Sequence, residues 1–110
     1  MRIHKISDMK GGWFIGNFVP SILQTESFEV AVKKHKQGED WGAHYQALAT
    51  EYNVLVEGLM EMEGGSKTYS IWPGDIFIVE PGEVMKPHFL TNCTVVCVKV
   101  PSIPNDKVIA

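Results

Sequence analysis

Three side chains able to hold a metal, move a proton or anchor a ligand stand close together in WGAHYQALATE, residues 41–51. They are His44, Gln46 and Glu51. An imidazole can ligate a transition ion or act as a base, and a carboxylate can ligate or orient that base. An amide offers one carbonyl acceptor and two N–H donors. The spacing runs Gly38, five residues, His44, one residue, Gln46, four residues, Glu51, six residues, Gly58. Residues two apart on a strand share a face, so His44 and Gln46 can point together, and Glu51 can converge from the next strand. If Glu51 points inward, Asn53, Leu55 and Glu57 follow it, while Tyr52, Val54 and Val56 face the other way. An inward carboxylate is costly unless it meets a cation, a donor or a ligand. A protonated His44 or a bound ion is the expected partner. The structural alternative for His44 is a hydrogen-bonded core residue.

The elements that must position these groups are short strands. Turn signals recur at KGG (10–12), QGED (37–40), EGGS (63–66), PGD (73–75), PGE (81–83) and PSIPND near the end. Between them lie β-branched and aromatic runs. Phe28, Val30 and Val32 alternate with Glu29, Ala31 and Lys33, the period-two pattern of a strand. LMEMEGGSKTYSIW reads as a hairpin with Gly64-Gly65 at its tip. GDIFIVEPG and CTVVCVKVP read as strands buried on both faces. Many short strands with regular turns predict a β-sandwich or barrel. One segment competes: Leu48, Tyr52, Leu55, Leu59 and Met62 form a helical stripe. Against it, Gly58 would cost a helix interior about 1 kcal/mol relative to alanine, and residues 50, 52, 54 and 56 have strand character.

The glycine–His–Gln–Glu–glycine spacing resembles the first signature motif of the cupin superfamily, in which the second position is also histidine. PGDIFIVEPGEVM, residues 73–85, is similar to the second cupin motif. Pro73, Gly74, Asp75 and Gly82 match it. Glu80 stands where the family proline falls, and Met85 takes the third histidine's place. The resemblance settles the competing segment as strand and implies an all-β double-stranded β-helix, the jelly-roll barrel. One domain is expected over residues 1–110, with an N-terminal arm and first strand over 1–26, the barrel over 27–101 and a C-terminal tail over 102–110.

Cupins with a full ligand set hold a divalent transition metal for redox, isomerase or lyase chemistry, as the resemblance implies. Here His44 and Glu51 are kept, Gln46 supplies a weak neutral oxygen, and Met85 offers a thioether suited to soft ions. His88 lies three residues beyond Met85, and the intervening Pro87 makes its strand parity uncertain. The incomplete set favours a metal-free barrel that binds a small organic molecule, sugar-like in character, through His44, Gln46 and Glu51. Trp41 would stack at the pocket mouth and Met85 would line the interior. The alternatives are a metal-dependent isomerase, dioxygenase or lyase using His44, Glu51, Gln46 and, less readily, His88, or a metal-free sugar isomerase or epimerase with His44 as base. A further alternative is a regulatory dimer whose barrel is filled by side chains. A sugar-nucleotide substrate lacks an obvious diphosphate clamp, because Arg2 is the only arginine and the lysines are scattered.

With 45% hydrophobic and 21% charged residues and a net charge of -3, the composition is that of a globular domain. Neither a nucleic-acid groove nor a polybasic membrane patch is indicated. No apolar leader opens the chain, so a cytoplasmic location is the default expectation. The apolar outer strand faces point to a homodimer, and WFIGNFVP carries too much apolar surface to remain in solvent. Cys93 and Cys97 sit four apart on one strand. Their Cα atoms would be about 13 Å apart, beyond the roughly 7 Å reach of a disulfide. Both are expected as free, apolar fillers. His35, within the basic run KKHK, is expected in solvent.

Overall fold

A computed structural model describes residues 1–110. After a single 3-10 turn (Ile6–Asp8), ten strands follow: β1 (Trp13–Ile15), β2 (Glu29–His35), β3 (His44–Gln46), β4 (Thr50–Glu57), β5 (Met60–Gly64), β6 (Lys67–Ile71), β7 (Ile76–Val79), β8 (Met85–Phe89), β9 (Cys93–Val100) and β10 (Lys107–Ile109). They form two five-stranded antiparallel sheets, ordered β1-β2-β9-β4-β7 and β10-β3-β8-β5-β6. The chain crosses between sheets at nearly every turn, which closes the pair into the predicted β-barrel.

The helical stripe over 48–62 loses because Gly58 has a positive φ of 97° and packs against the β9 entry. A Cβ there would overlap the Asn92 carbonyl oxygen. The segment therefore turns sharply between β4 and β5. Along β4 the alternation holds to Leu55: Asn53 and Leu55 are buried and Tyr52 and Val56 exposed. A register irregularity between Leu55 and Glu57 then breaks the parity, and Glu57 ends in solvent. The β5–β6 turn is Gly65-Ser66, because Gly64 still pairs with Lys67. Asp75 closes the turn before β7, its carboxylate accepting the Trp72 N–H at 2.8 Å.

Two expectations are corrected. GDIFIVEPG is buried on one face only: β7 is a sheet edge, and Ile76 and Ile78 are 73% and 51% exposed. The C-terminal tail over 102–110 carries a strand: β10 (Lys107–Ile109) pairs with β3 through Lys107↔Gln46, Val108↔Tyr45 and Ile109↔His44. The cause is Asp106, whose buried carboxylate accepts the Leu48 N–H (2.9 Å) and the Ala49 N–H (2.8 Å).

The apolar core gathers at one end of the barrel. Leu55, Met60, Ile71, Phe89, Cys93 and Val95 are buried together there, with Trp41, Met62 and Phe77 packed against them. Each fully buried large side chain contributes about 1.5–3 kcal/mol. His35 joins this end, contrary to its expected solvation. Its ring stacks on Phe89 at 4.1 Å, and its Nδ1 lies 2.8 Å from Glu39 Oε2. Pairing with a carboxylate and an aromatic face lets histidine take an inward position at the end of β2.

Candidate functional site

The other end of the barrel is polar. From β3 and β4, Gln46 and Glu51 point inward and meet: Gln46 Nε2 donates to Glu51 Oε2 at 3.2 Å. The Cys97 thiol on β9 approaches the second carboxylate oxygen at 3.5 Å. Burial, with Glu51 adding to it, pushes that thiol up to about 12, so Cys97 stays a neutral donor. Glu51 is thus held by the Gln46 amide and the Cys97 thiol rather than by His44. Gln46 is almost completely buried, and its Oε1 has no hydrogen-bond partner. A buried amide oxygen without a partner costs about 1–3 kcal/mol.

His44, half-buried on β3, places Nδ1 3.4 Å from the Gly42 carbonyl oxygen. Only the Nδ1–H tautomer can make that bond, which leaves the Nε2 lone pair free. Burial, reinforced by the nearby Lys107 charge, holds the imidazole below its ordinary range, so it is neutral at neutral pH.

Around these groups the structure brings in three lysines that the sequence reading left scattered. Lys33 extends inward from β2, in phase with Ala31 and His35. Lys99 follows Cys93, Val95 and Cys97 along β9, and Lys107 lies opposite Gln46 on β10. All three are half-buried. They interleave with two tryptophans: the Lys99 ammonium lies 5.0 Å from the Trp13 ring, and Lys33 lies 5.7 Å from Trp13 and 4.6 Å from Trp41. Lys107 completes the row, 4.2 Å from Trp41. Burial, with the Lys99 charge adding to it, depresses Lys33; burial, then Lys33 and Lys99, depresses Lys107. A cavity of about 300 Å³ opens beside Gln46, lined by Trp13, Glu29, Gln46, Lys99, Asp106 and Lys107 among others. Trp13 divides it from a second cavity of about 600 Å³ that Lys33 and Trp41 line; His44 and Glu51 line neither.

The remaining motif residues lie elsewhere. Trp41 donates its indole N–H to Glu39 at 2.7 Å and stands between the lysine row and the apolar core. That bond, followed by His35, lowers Glu39 to about 2. Met85 is the cross-strand partner of His44, but its sulfur lies over Gly64, where even a Cβ would sit 2.7 Å from it. It lines a separate cavity of about 380 Å³ between β6 and β7. His88 takes the opposite face of β8 and pairs with Glu63 at 2.7 Å. Cys93 and Cys97 are both free and buried, as their spacing required, although Cys97 faces a carboxylate rather than an apolar layer.

A divalent metal fits this donor set poorly. No three His, Cys, Asp or Glu side chains come together. The Gln46 oxygen is a weak neutral donor, the Cys97 thiol is protonated, and three ammonium groups repel a cation from the same space.

Two antiparallel sheets closed around this interior define a double-stranded β-helix protein, with the cupin fold. No protein-family model matches the chain, and no curated protein matches it in sequence. Solved structures do match. An uncharacterized conserved protein with a double-stranded β-helix domain from Klebsiella pneumoniae is 21% identical, with a TM-score of 0.71 over 100% of this chain and 97% of that one. KdgF from Halomonas sp. is 19% identical with a TM-score of 0.67, covering 72% of this chain and 74% of its own. The DMSP lyase DddQ from Ruegeria pomeroyi is 16% identical with a TM-score of 0.75, over 87% of this chain but only 48% of that longer chain. At these identities the likeness is one of fold. No helix is long and apolar enough to cross a membrane.

Proposed function

We propose that the barrel binds a small, hydroxylated, sugar-like organic molecule without a metal, using Gln46, Glu51 and His44 as polar anchors and Trp41 as a wall. The observation that carries this reading is the buried, unpartnered Gln46 Oε1 beside a cavity of small-ligand size. A ligand hydroxyl donating to Oε1 removes the cost of that orphaned acceptor, and Glu51, fixed by Gln46, accepts a second hydroxyl.

Calorimetric titration with a panel of small sugars and sugar derivatives tests the reading. At least one is expected to bind, and Gln46→Leu is expected to weaken it about tenfold, the worth of one good buried hydrogen bond. Binding unchanged by Gln46→Leu would sink the proposal, as would a stoichiometric transition metal in untagged protein whose removal abolishes ligand binding. The free Nε2 of a neutral His44 supports a second reading, in which the bound molecule loses a proton to His44. Under that reading His44→Ala keeps binding and loses turnover.

A further inference from the structure

Three ammonium groups converge on one interior, and none closes an ion pair with a carboxylate. The chain's ion pairs are His35–Glu39 and His88–Glu63, and neither involves Lys33, Lys99 or Lys107. Carboxylates lie within Coulombic reach, Glu29 of Lys99 and Glu51 of Lys33 and Lys107, but none closes an ion pair with a lysine. Glu39 accepts from His35, Trp41 and the Lys36 N–H. Glu29 feels the Lys99 charge first and then the Ile103 backbone and Ser102, and Glu51 takes its hydrogen bonds from Gln46 and Cys97. Lysine is among the residues least often buried without a partner, and three such charges repel one another across a half-buried space. The tryptophan faces offset part of this through cation–π contact. They add no negative charge.

We propose that the natural ligand of the barrel is a small hydroxylated organic acid whose anionic group is held by Lys33, Lys99 and Lys107. The inference rests on the binding function proposed above and names the class of molecule bound. The anion supplies the direct ionic contact that the lysines lack. Its hydroxyls meet Gln46 Oε1 and Glu51, and its apolar face lies against Trp13. The cavity of about 300 Å³ limits it to about the size of one sugar ring. The anionic group is a carboxylate or a phosphate ester, which lysines bind alike as point charges.

Calorimetry on the full chain with matched probes separates the cases: D-glucose as neutral reference, D-gluconate and D-glucuronate as carboxylates, and D-glucose 6-phosphate and inorganic phosphate as phosphates. At least one acid is expected to bind about tenfold or more tightly than glucose, as one charge-assisted contact implies. Its affinity should fall with added salt. Whichever series binds better identifies the anionic group. Lys33→Met and Lys99→Met should each weaken that acid about tenfold while raising the melting temperature of the unliganded protein, because each removes a half-buried charge that closes no ion pair. A merely structural lysine would lower both.

Glucose binding as tightly as the acids, with no loss in the lysine variants, overturns the anion proposal and leaves the barrel-binding reading standing. No binding by any probe, with thermal stability of the lysine variants unchanged or lower, overturns both.

Discussion

The two ends of the barrel are built from the same strands and obey opposite rules. On β9, Cys93 and Val95 belong to a packed apolar cluster, while Cys97 and Lys99, further along the same face, enter a space with a free amide oxygen and three like charges. On β2, His35 at the apolar end has a carboxylate partner and a stacked ring, whereas Lys33, two residues earlier, has aromatic faces and no carboxylate. One end satisfies every group it buries. The other leaves groups unsatisfied, and those are the groups a ligand can satisfy. Stability made at the first end tolerates the cost held at the second, the usual relation between a core and a binding site.

The largest effect that divides the ends should come from Leu55→Ala. Leu55 is fully buried, and its truncation should cost about 3 kcal/mol in urea unfolding, with the preference for acids over glucose unchanged. A lost preference would mean that the two ends are not separable.

Titration should divide them next. At the apolar end Glu39 is lowered from 4.5 to about 2. Its contribution is complete above 4.5 and is lost as pH falls toward 2, and Glu39→Gln should flatten that acid limb. At the polar end Lys33 and Lys107 lie below 10.5 in the folded chain. The unfolded chain therefore binds their protons more strongly, and their contribution to stability grows as pH rises toward 10.5. Cys97 works in the other direction, because it ionises near 9.0 when unfolded and near 12 when folded. Its contribution falls above pH 9. Stability curves for Lys33→Met, losing the rise, and Cys97→Ala, losing the fall, would resolve the two. Neither substitution should alter the acid limb.

The smallest effect lies outside the barrel. Tyr52, Val56, Ile76 and Ile78 leave an exposed apolar face on β4 and the edge strand β7. A homodimer, the expectation drawn from the apolar outer strand faces, would bury this face. Sedimentation equilibrium should give a dimer, and Ile76→Glu a monomer whose own stability changes by no more than about 0.5 kcal/mol. A monomeric native chain would remove the inference and leave the contrast between the ends intact.

Much of this was legible in the sequence, for identifiable reasons. The motif glycines mark real turns: Gly58 and Gly74 both have positive φ. Period-two reading correctly turned Gln46, Asn53 and Leu55 inward. The lysines were not legible as a group, since positions 33, 99 and 107 meet only through strand pairings that no local pattern reveals. Part of the signal was present. Lys99 shares phase with Cys93, Val95 and Cys97, a face destined for the interior. Lys33 instead stood in the phase of Glu29 and Ala31, opposite the apolar Phe28, Val30 and Val32, and the structure turns that phase inward at Ala31 and His35. Lys107 had no such marker, because the strand that carries it exists through the long-range hold of Asp106 on residues 48 and 49. His35 misled for the converse reason: three neighbouring lysines suggested solvent, while its partner Glu39 lay four residues ahead.

That hold of Asp106 reaches the binding end. The Lys107 side of the cavity exists only while residues 107–109 stay paired with β3, through Lys107↔Gln46, Val108↔Tyr45 and Ile109↔His44. Capture of an acid by the barrel would report that the last strand is home.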